Sequence, residues 1–216
     1  MSDSEKEKNA LGSNPISESA ERATIKQALN QFHKMLEDFV SAPGGSACPQ
    51  TMKAKTEMKK MYPDLKKNKN TIGSIKGISV GDAFGSRTET SVIGLHKELI
   101  TDVNIVVHRG GDLDPIATSV VLILGSNYPG NEYKPGGCEL VYCGEGRVSD
   151  GHKDKKLSAE DTALINSKDR DIPIRAIRCD DTGYKRYIYE GLYKTVSVKV
   201  VKVNMIYAFC MKRVEE

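Results

Sequence analysis

The stretch Ile72-Gly73-Ser74-Ile75-Lys76-Gly77-Ile78-Ser79-Val80-Gly81-Asp82-Ala83-Phe84, continued by Arg87 and Gly94-Leu95-His96, decides how the rest of this 216-residue chain is read. Before it, apolar residues recur at helical spacing. After it, the chain breaks into short β-rich runs punctuated by glycine. A second stretch far downstream, Tyr187-Ile188-Tyr189-Glu190-Gly191-Leu192-Tyr193, has the same character. Strand patterns fall at residues 78–84, 104–107, 118–124, 138–142, 174–178, 185–189, 193–203 and 205–212. One helix is expected over residues 158–167, where Ser158 offers a capping hydroxyl and Asp161 sits three positions on. Many short strands with few helices imply a barrel or a strongly twisted sheet.

Upstream of this region, residues 1–20 are polar, mixed in charge and without period, which predicts a disordered tail. Between residues 21 and 40 the apolar residues Ile25, Leu29, Phe32, Leu36 and Phe39 line one face of a helix, ended by Pro43-Gly44-Gly45. A second helix is expected over residues 50–61, so that residues 21–62 form a helical hairpin. Residues 63–71, with Lys66-Lys67-Asn68-Lys69-Asn70, read as a basic linker, and residues 72–216 as the core domain. The hairpin is expected to pack on that core, because its apolar stripe needs cover.

Composition narrows the function classes. With 38% hydrophobic and 28% charged residues, the chain can bury one good core but hardly two. A formal net charge of +3 permits a nucleic-acid partner without demanding one. The five cysteines form no C-x-x-C pair and the four histidines fall at no metal-finger spacing, so neither a metal site nor a cofactor is expected. The odd cysteine count and the lack of an apolar leader fit a soluble protein in a reducing compartment, and no run is long enough to span a membrane. No hydrolase, zinc-protease, phosphate-loop or kinase motif is present, and His96, His108 and His152 read as structural or surface histidines. The expectation is a protein that is not an enzyme.

Five further pieces keep a fixed order with the two opening stretches. They are Gly110-Gly111, Ala117-Thr118-Ser119-Val120-Val121, Val141-Tyr142-Cys143-Gly144-Glu145-Gly146, Pro173-Ile174-Arg175-Ala176-Ile177-Arg178, and Phe209, Met211 and Arg213 on a closing strand. Over roughly residues 72–213 the chain resembles the SRA (SET- and RING-associated), or YDG, domain. It is most similar to those of plant Su(var)3-9-class histone H3 lysine-9 methyltransferases, without their pre-SET and SET domains. The resemblance implies an α+β, β-dominated fold: an SRA-like (PUA-like) twisted β-barrel with an N-terminal helical hairpin on it. It also implies a nuclear protein whose partner is double-stranded DNA containing methylated cytosine, with a histone or chromatin methyltransferase as a further partner.

In that family a modified cytosine is rotated out of the duplex, at a cost of a few kcal/mol, and held between two tyrosines. Stacking on each aromatic ring returns about 1–3 kcal/mol. Tyr142 falls on the second tyrosine. The first tyrosine is expected at Ser126 by count, and Tyr128 takes the role if the loop is longer. Asn131 then stands where the family has an aspartate, with an amide oxygen to accept from cytosine N4–H and an amide nitrogen to donate to N3. Backbone near Gly125, Cys143 and Gly144 completes the expected base edge. Glu190 replaces the aspartate of Y-D-G, and Cys143 replaces a threonine. Two readings stay open: a reader of cytosine-methylated DNA, or a scaffold on the same fold that has lost base capture and partners a chromatin methyltransferase.

Overall fold

The structure, a computed structural model, describes residues 15–41, 47–107, 114–125, 130–144, 157–180, 185–201 and 206–215. Two helices open it, α1 (Pro15–Ser41) and α2 (Ala47–Met61), followed by a single turn α3 (Leu65–Asn68). Next come β1 (Ala83–Phe84), α4 (Arg87–Val92), β2 (Val103–Val106) and β3 (Ile116–Leu124). After β4 (Glu132–Tyr133) and β5 (Glu139–Cys143) the chain forms α5 (Ala159–Asp169), then β6 (Ile174–Asp180), β7 (Arg186–Val201) and β8 (Ile206–Arg213). The fold is α+β and β-dominated, with an N-terminal helical region.

All eight strands belong to one sheet, ordered β2-β3-β6-β7-β8-β5-β4, with β1 added on β7. The β3–β6 pair is parallel and the others are antiparallel. In a flat sheet β3 and β5, four places apart, would lie about 19 Å from one another at the usual strand spacing of about 4.8 Å. Yet the one side-chain amide of Asn131 donates to the Ile123 carbonyl on β3 at 2.9 Å and accepts from the Cys143 N–H on β5 at 2.8 Å. A single amide can reach both only if the sheet is rolled. The rolled sheet is a barrel, and Asn131 clamps its two sides together.

The roll leaves two apolar clusters. On the outer face Val121, Ile123, Ile177 and Tyr189 meet Ile25, Ala28 and Phe32 of α1 and Ala54 and Met58 of α2. On the other face Val120, Leu122, Leu140, Tyr142, Phe209 and Met211 pack in one cluster with Ala163 and Leu164 of α5. Strand β3 is therefore covered on both faces, which its unbroken Val120-Val121-Leu122-Ile123 run requires. The expected docking of the hairpin is seen in detail. Arg22 of α1 forms a two-pronged bond with Asp82, 2.7 Å on each side, and also donates to the Gly77 carbonyl at 3.2 Å. Gly77 has φ +81°, and a Cβ there would sit 2.7 Å from the Arg22 nitrogen, so helix and core meet backbone to backbone.

Several elements differ from the sequence reading. Helix α1 begins at Pro15, within the residues expected to be a tail, and proline at that position suits the first turn. The expected linker contains α3, whose Leu65 is buried in the outer cluster. Of the strand expected over residues 78–84 only Ala83–Phe84 is formed, because Gly77 and Gly81, with φ +81° and +92°, turn the chain on either side. Residues 185–203, read as two runs, contain the continuous strand β7, which passes Gly191 (φ +98°) at a register shift opposite Ala176/Ile177. Ser158 caps α5 as expected, its hydroxyl accepting from Asp161 N–H at 2.9 Å.

Candidate nucleic-acid interface

One end of the barrel gathers most of the residues expected to read a base. Tyr142 is the fourth residue of β5, and strand alternation turns it inward with Leu140. It is 2% exposed, and its ring lies beside that of its cross-strand neighbour Phe209 at 6.4 Å between centroids. Gly125 and Gly144 follow β3 and β5, and Gly130, just before β4, lies against the Cys143 side chain, with φ +152° at Gly125 and +106° at Gly130. They flank residues 126–129 and 145–156, outside the described residues, as is Tyr128, which the sequence suggested as the first stacking ring. The Gly110-Gly111 pair also lies outside them.

Asn131 also holds the frame of the barrel end through its hydrogen bonds. Its amide oxygen and an amide N–H, assigned from the sequence to the base edge, are both engaged with backbone groups of β3 and β5. The backbone donors of Cys143 and Gly144 are likewise engaged, the first with Asn131 and the second with the Tyr207 carbonyl at 2.9 Å. These groups build the frame of the barrel end. Cys143 is half-buried, and burial first, then the charge of Glu132, raises its thiol above the ordinary cysteine value.

A residue that the sequence reading took only for helix capping completes this end. Asp161, in the first turn of α5, is 1% exposed, and a Cβ on Gly144 would land on its carboxylate. Gly144 is thus required by close approach, and a negative side chain is favoured at that helix start. Its place two residues inside a helix, rather than in a loop, hid its proximity to Gly144.

The opening sequence stretch serves a different purpose. Arg175 on β6, fully buried, donates to the carbonyls of Thr71 at 2.6 Å, Gly73 at 2.7 Å and Leu95 at 3.2 Å, and burial lowers its pKa to about 10. His96, also fully buried, is held near pKa 3 by burial, with the charges of Arg87 and Arg175 adding to the effect. It is therefore neutral. The Thr101 carbonyl, 3.2 Å from Nε2, fixes the proton on that nitrogen, and Nδ1 accepts from the Ser119 hydroxyl at 2.9 Å. Arg87 pairs with Asp102 at 2.5 Å and donates to the Ile100 carbonyl at 3.0 Å. Glu190, the acid of the second stretch, accepts from Tyr133 Oη at 2.5 Å and Arg178 Nε at 2.8 Å, joining β4, β6 and β7. These groups hold the fold. Among the described residues no group of histidine, cysteine and carboxylate side chains could hold a metal ion, and no helix is long and apolar enough to cross a membrane.

Fold and site together define a small α+β barrel with a helical hairpin on its outer face and an aromatic, glycine-framed end. Residues 71–216 match the SAD/SRA domain, and the chain belongs to that family. A YDG domain-containing protein of Arabidopsis thaliana is 33% identical over 204 residues, covering 88% of this chain and 59% of that protein. The H3 lysine-9 specific histone-lysine N-methyltransferase SUVH3 of the same plant is 34% identical over 134 residues, covering 58% of this chain and 19% of the enzyme. This chain thus spans less than two thirds of either relative. Among solved structures, the SUVH5 SRA domain in complex with fully methylated CG DNA is 27% identical, with a TM-score of 0.55 over 68% of this chain and 95% of that one. A larger structure, KRYPTONITE with mCHH DNA, an H3 peptide and SAH, shares the fold at TM-score 0.72 and 24% identity, covering 90% of this chain and 43% of that one.

Proposed function

We propose that this chain is a non-enzymatic reader of cytosine-methylated double-stranded DNA, acting in the nucleus as part of chromatin regulation alongside histone methyltransferases. The modified base leaves the duplex and enters the barrel end at Tyr142, where it stacks on a ring that Phe209 supports from the next strand. With Asn131 committed to the frame, the Asp161 carboxylate is the group suited to accept from the cytosine amino group, since a carboxylate offers about four acceptor sites. Tyr128 is the proposed second ring. The observation that carries the reading is the likeness to the SUVH5 SRA domain, which covers nearly all of a domain seen with methylated DNA.

The alternative, a scaffold on the same fold that captures no base, is favoured by one observation. Tyr142 is closed in, and the N–H groups of Cys143 and Gly144 are already bonded. A competition assay separates the two, using duplexes that differ only in the cytosine methyl. A fitted apolar pocket distinguishes one methyl by about 1–3 kcal/mol, roughly 10- to 200-fold in affinity. The reader shows a preference of that order for the methylated duplex; equal binding of both duplexes leaves the scaffold.

A further inference from the structure

Where the hairpin meets the barrel's outer face, lysines from three segments turn toward one recess. Lys55 and Lys59 lie one turn apart on α2 and so share a side of the helix. Lys66 comes from α3, Lys69 from just beyond it, and Lys97 from the segment after α4. The recess has a volume of about 50 Å³, room for a few waters or one tetrahedral oxyanion. A nucleobase does not fit there.

Its floor is fixed before any ligand arrives. Gly94 has φ +77°, and a Cβ there would lie 2.5 Å from the Leu65 carbonyl oxygen, so α3 is pressed on the loop below. Asn68 donates to the Ile93 carbonyl at 3.1 Å, and Asn104 donates to the Lys69 carbonyl at 3.0 Å. The backbone carrying the lysines is therefore pinned from two sides, which lowers the ordering cost of binding.

The charges are only partly compensated, by Glu98, which opposes the lowering of Lys55 and Lys69. Among the described residues no carboxylate forms an ion pair with Lys55, Lys59, Lys66 or Lys69, although Lys60 and Lys67, their neighbours in sequence, pair with Glu57 and Asp64 at 2.8 and 2.7 Å. The nearby acid, Glu98, is engaged with Lys97 at 2.7 Å. Lys55 is 7% exposed, and its amine is lowered to about pKa 8, by burial first and then by the charge of Lys59. Burial and the charges of Lys97, Lys66 and Lys59 lower Lys69 as well. Like charges so placed destabilise the free protein, and an anion in the recess adds an attraction to each that offsets their mutual repulsion.

We propose that this recess is a phosphate-binding site, separate from the barrel end, that takes one phosphate group of a DNA backbone or of a free phosphorylated compound. The proposal does not depend on base reading. Its test compares two doubly substituted proteins of equal charge: Lys59→Gln with Lys69→Gln, inside the recess, and Lys60→Gln with Lys67→Gln, outside it. In the first arm inorganic phosphate is titrated against the melting temperature, with chloride at matched ionic strength as reference. Wild type and the outer pair should gain stability from phosphate beyond the chloride effect, and the recess pair should lose that gain. In the second arm an unmodified duplex is bound at several salt concentrations. If the site takes a backbone phosphate, the recess pair binds more weakly than the outer pair, with a log–log salt slope shallower by about 1. A difference between the pairs in the phosphate arm alone assigns the site to free phosphate compounds. The proposal is overturned if the two pairs behave alike in both arms.

Discussion

The outer face of the sheet and the end of the barrel both bury polar groups, but they hold them on different terms. On the outer face the fixed points are ionised arginines, each with several acceptors: Arg175 with three carbonyls, Arg87 with Asp102 and neighbouring carbonyls, and Arg22 with both oxygens of Asp82. At the barrel end the fixed point is a neutral amide, Asn131, which holds one carbonyl and one N–H. Charge-assisted hydrogen bonds are roughly twice as strong as neutral ones. The outer face is therefore held by stronger bonds than the barrel end. The residues by which the sequence is recognised mostly belong to the outer face, so they report the fold rather than the state of the pocket.

The largest expected effect breaks the outer face. Arg175→Met leaves three carbonyls that the guanidinium had satisfied, and each hydrogen bond to a charged group contributes about 1.5–3 kcal/mol. Urea denaturation should show a loss of at least about 3 kcal/mol; a loss under about 1 kcal/mol contradicts the account of this face.

Asn131→Asp comes next and separates frame from reader. A carboxylate cannot donate to the Ile123 carbonyl, so the variant should lose about 1–3 kcal/mol of stability at neutral pH. A base-reading residue at this position gives the opposite pattern, unchanged stability and tighter binding to methylated duplex.

The smallest effect is a pH dependence. In the unfolded chain Lys55 holds its proton up to its ordinary value of 10.5, while the folded protein releases it near 8. Between those values the unfolded state binds more protons, so this residue makes the fold more stable as pH rises from about 8 to 10.5. Lys55→Met should melt higher than wild type at pH 7, and the gap should close by about pH 10.5. A gap that is constant with pH points to packing rather than charge.

Much of the fold was legible because period and composition act locally. The strand patterns at residues 118–124 and 138–142 and the Ser158 cap each needed only neighbouring residues. What was misread depended on backbone angle or on distant partners. Gly77 and Gly81 end a strand whose side chains favour it, and Gly191 lets β7 continue where two strands were expected. At the site, Tyr142 was singled out by the Val141-Tyr142-Cys143-Gly144 wording, and its burial became visible only in the fold. Asn131 carries a framing task that the sequence did not show, since a sequence shows which groups an amide carries but not which groups 8 and 12 positions away it will meet. Asp161 escaped because its approach to Gly144 joins a helix to a strand across the barrel. The lysine recess escaped for a similar reason: a run of lysines reads as a solvated surface until the fold shows which of them have partners.

The central claim is that a modified cytosine leaves the duplex and stacks at Tyr142. The most direct measurement places 2-aminopurine beside a single methylated cytosine and follows its fluorescence as protein is added. Extrusion of the cytosine unstacks the probe, so fluorescence should rise on binding with wild type. Tyr142→Leu, which keeps much of the buried volume but offers no ring, should lose about 1–3 kcal/mol of stacking and show the rise at roughly 5- to 150-fold higher protein concentration. Tight binding of the methylated duplex with no change in fluorescence, or the same rise with Tyr142→Leu as with wild type, would contradict the claim.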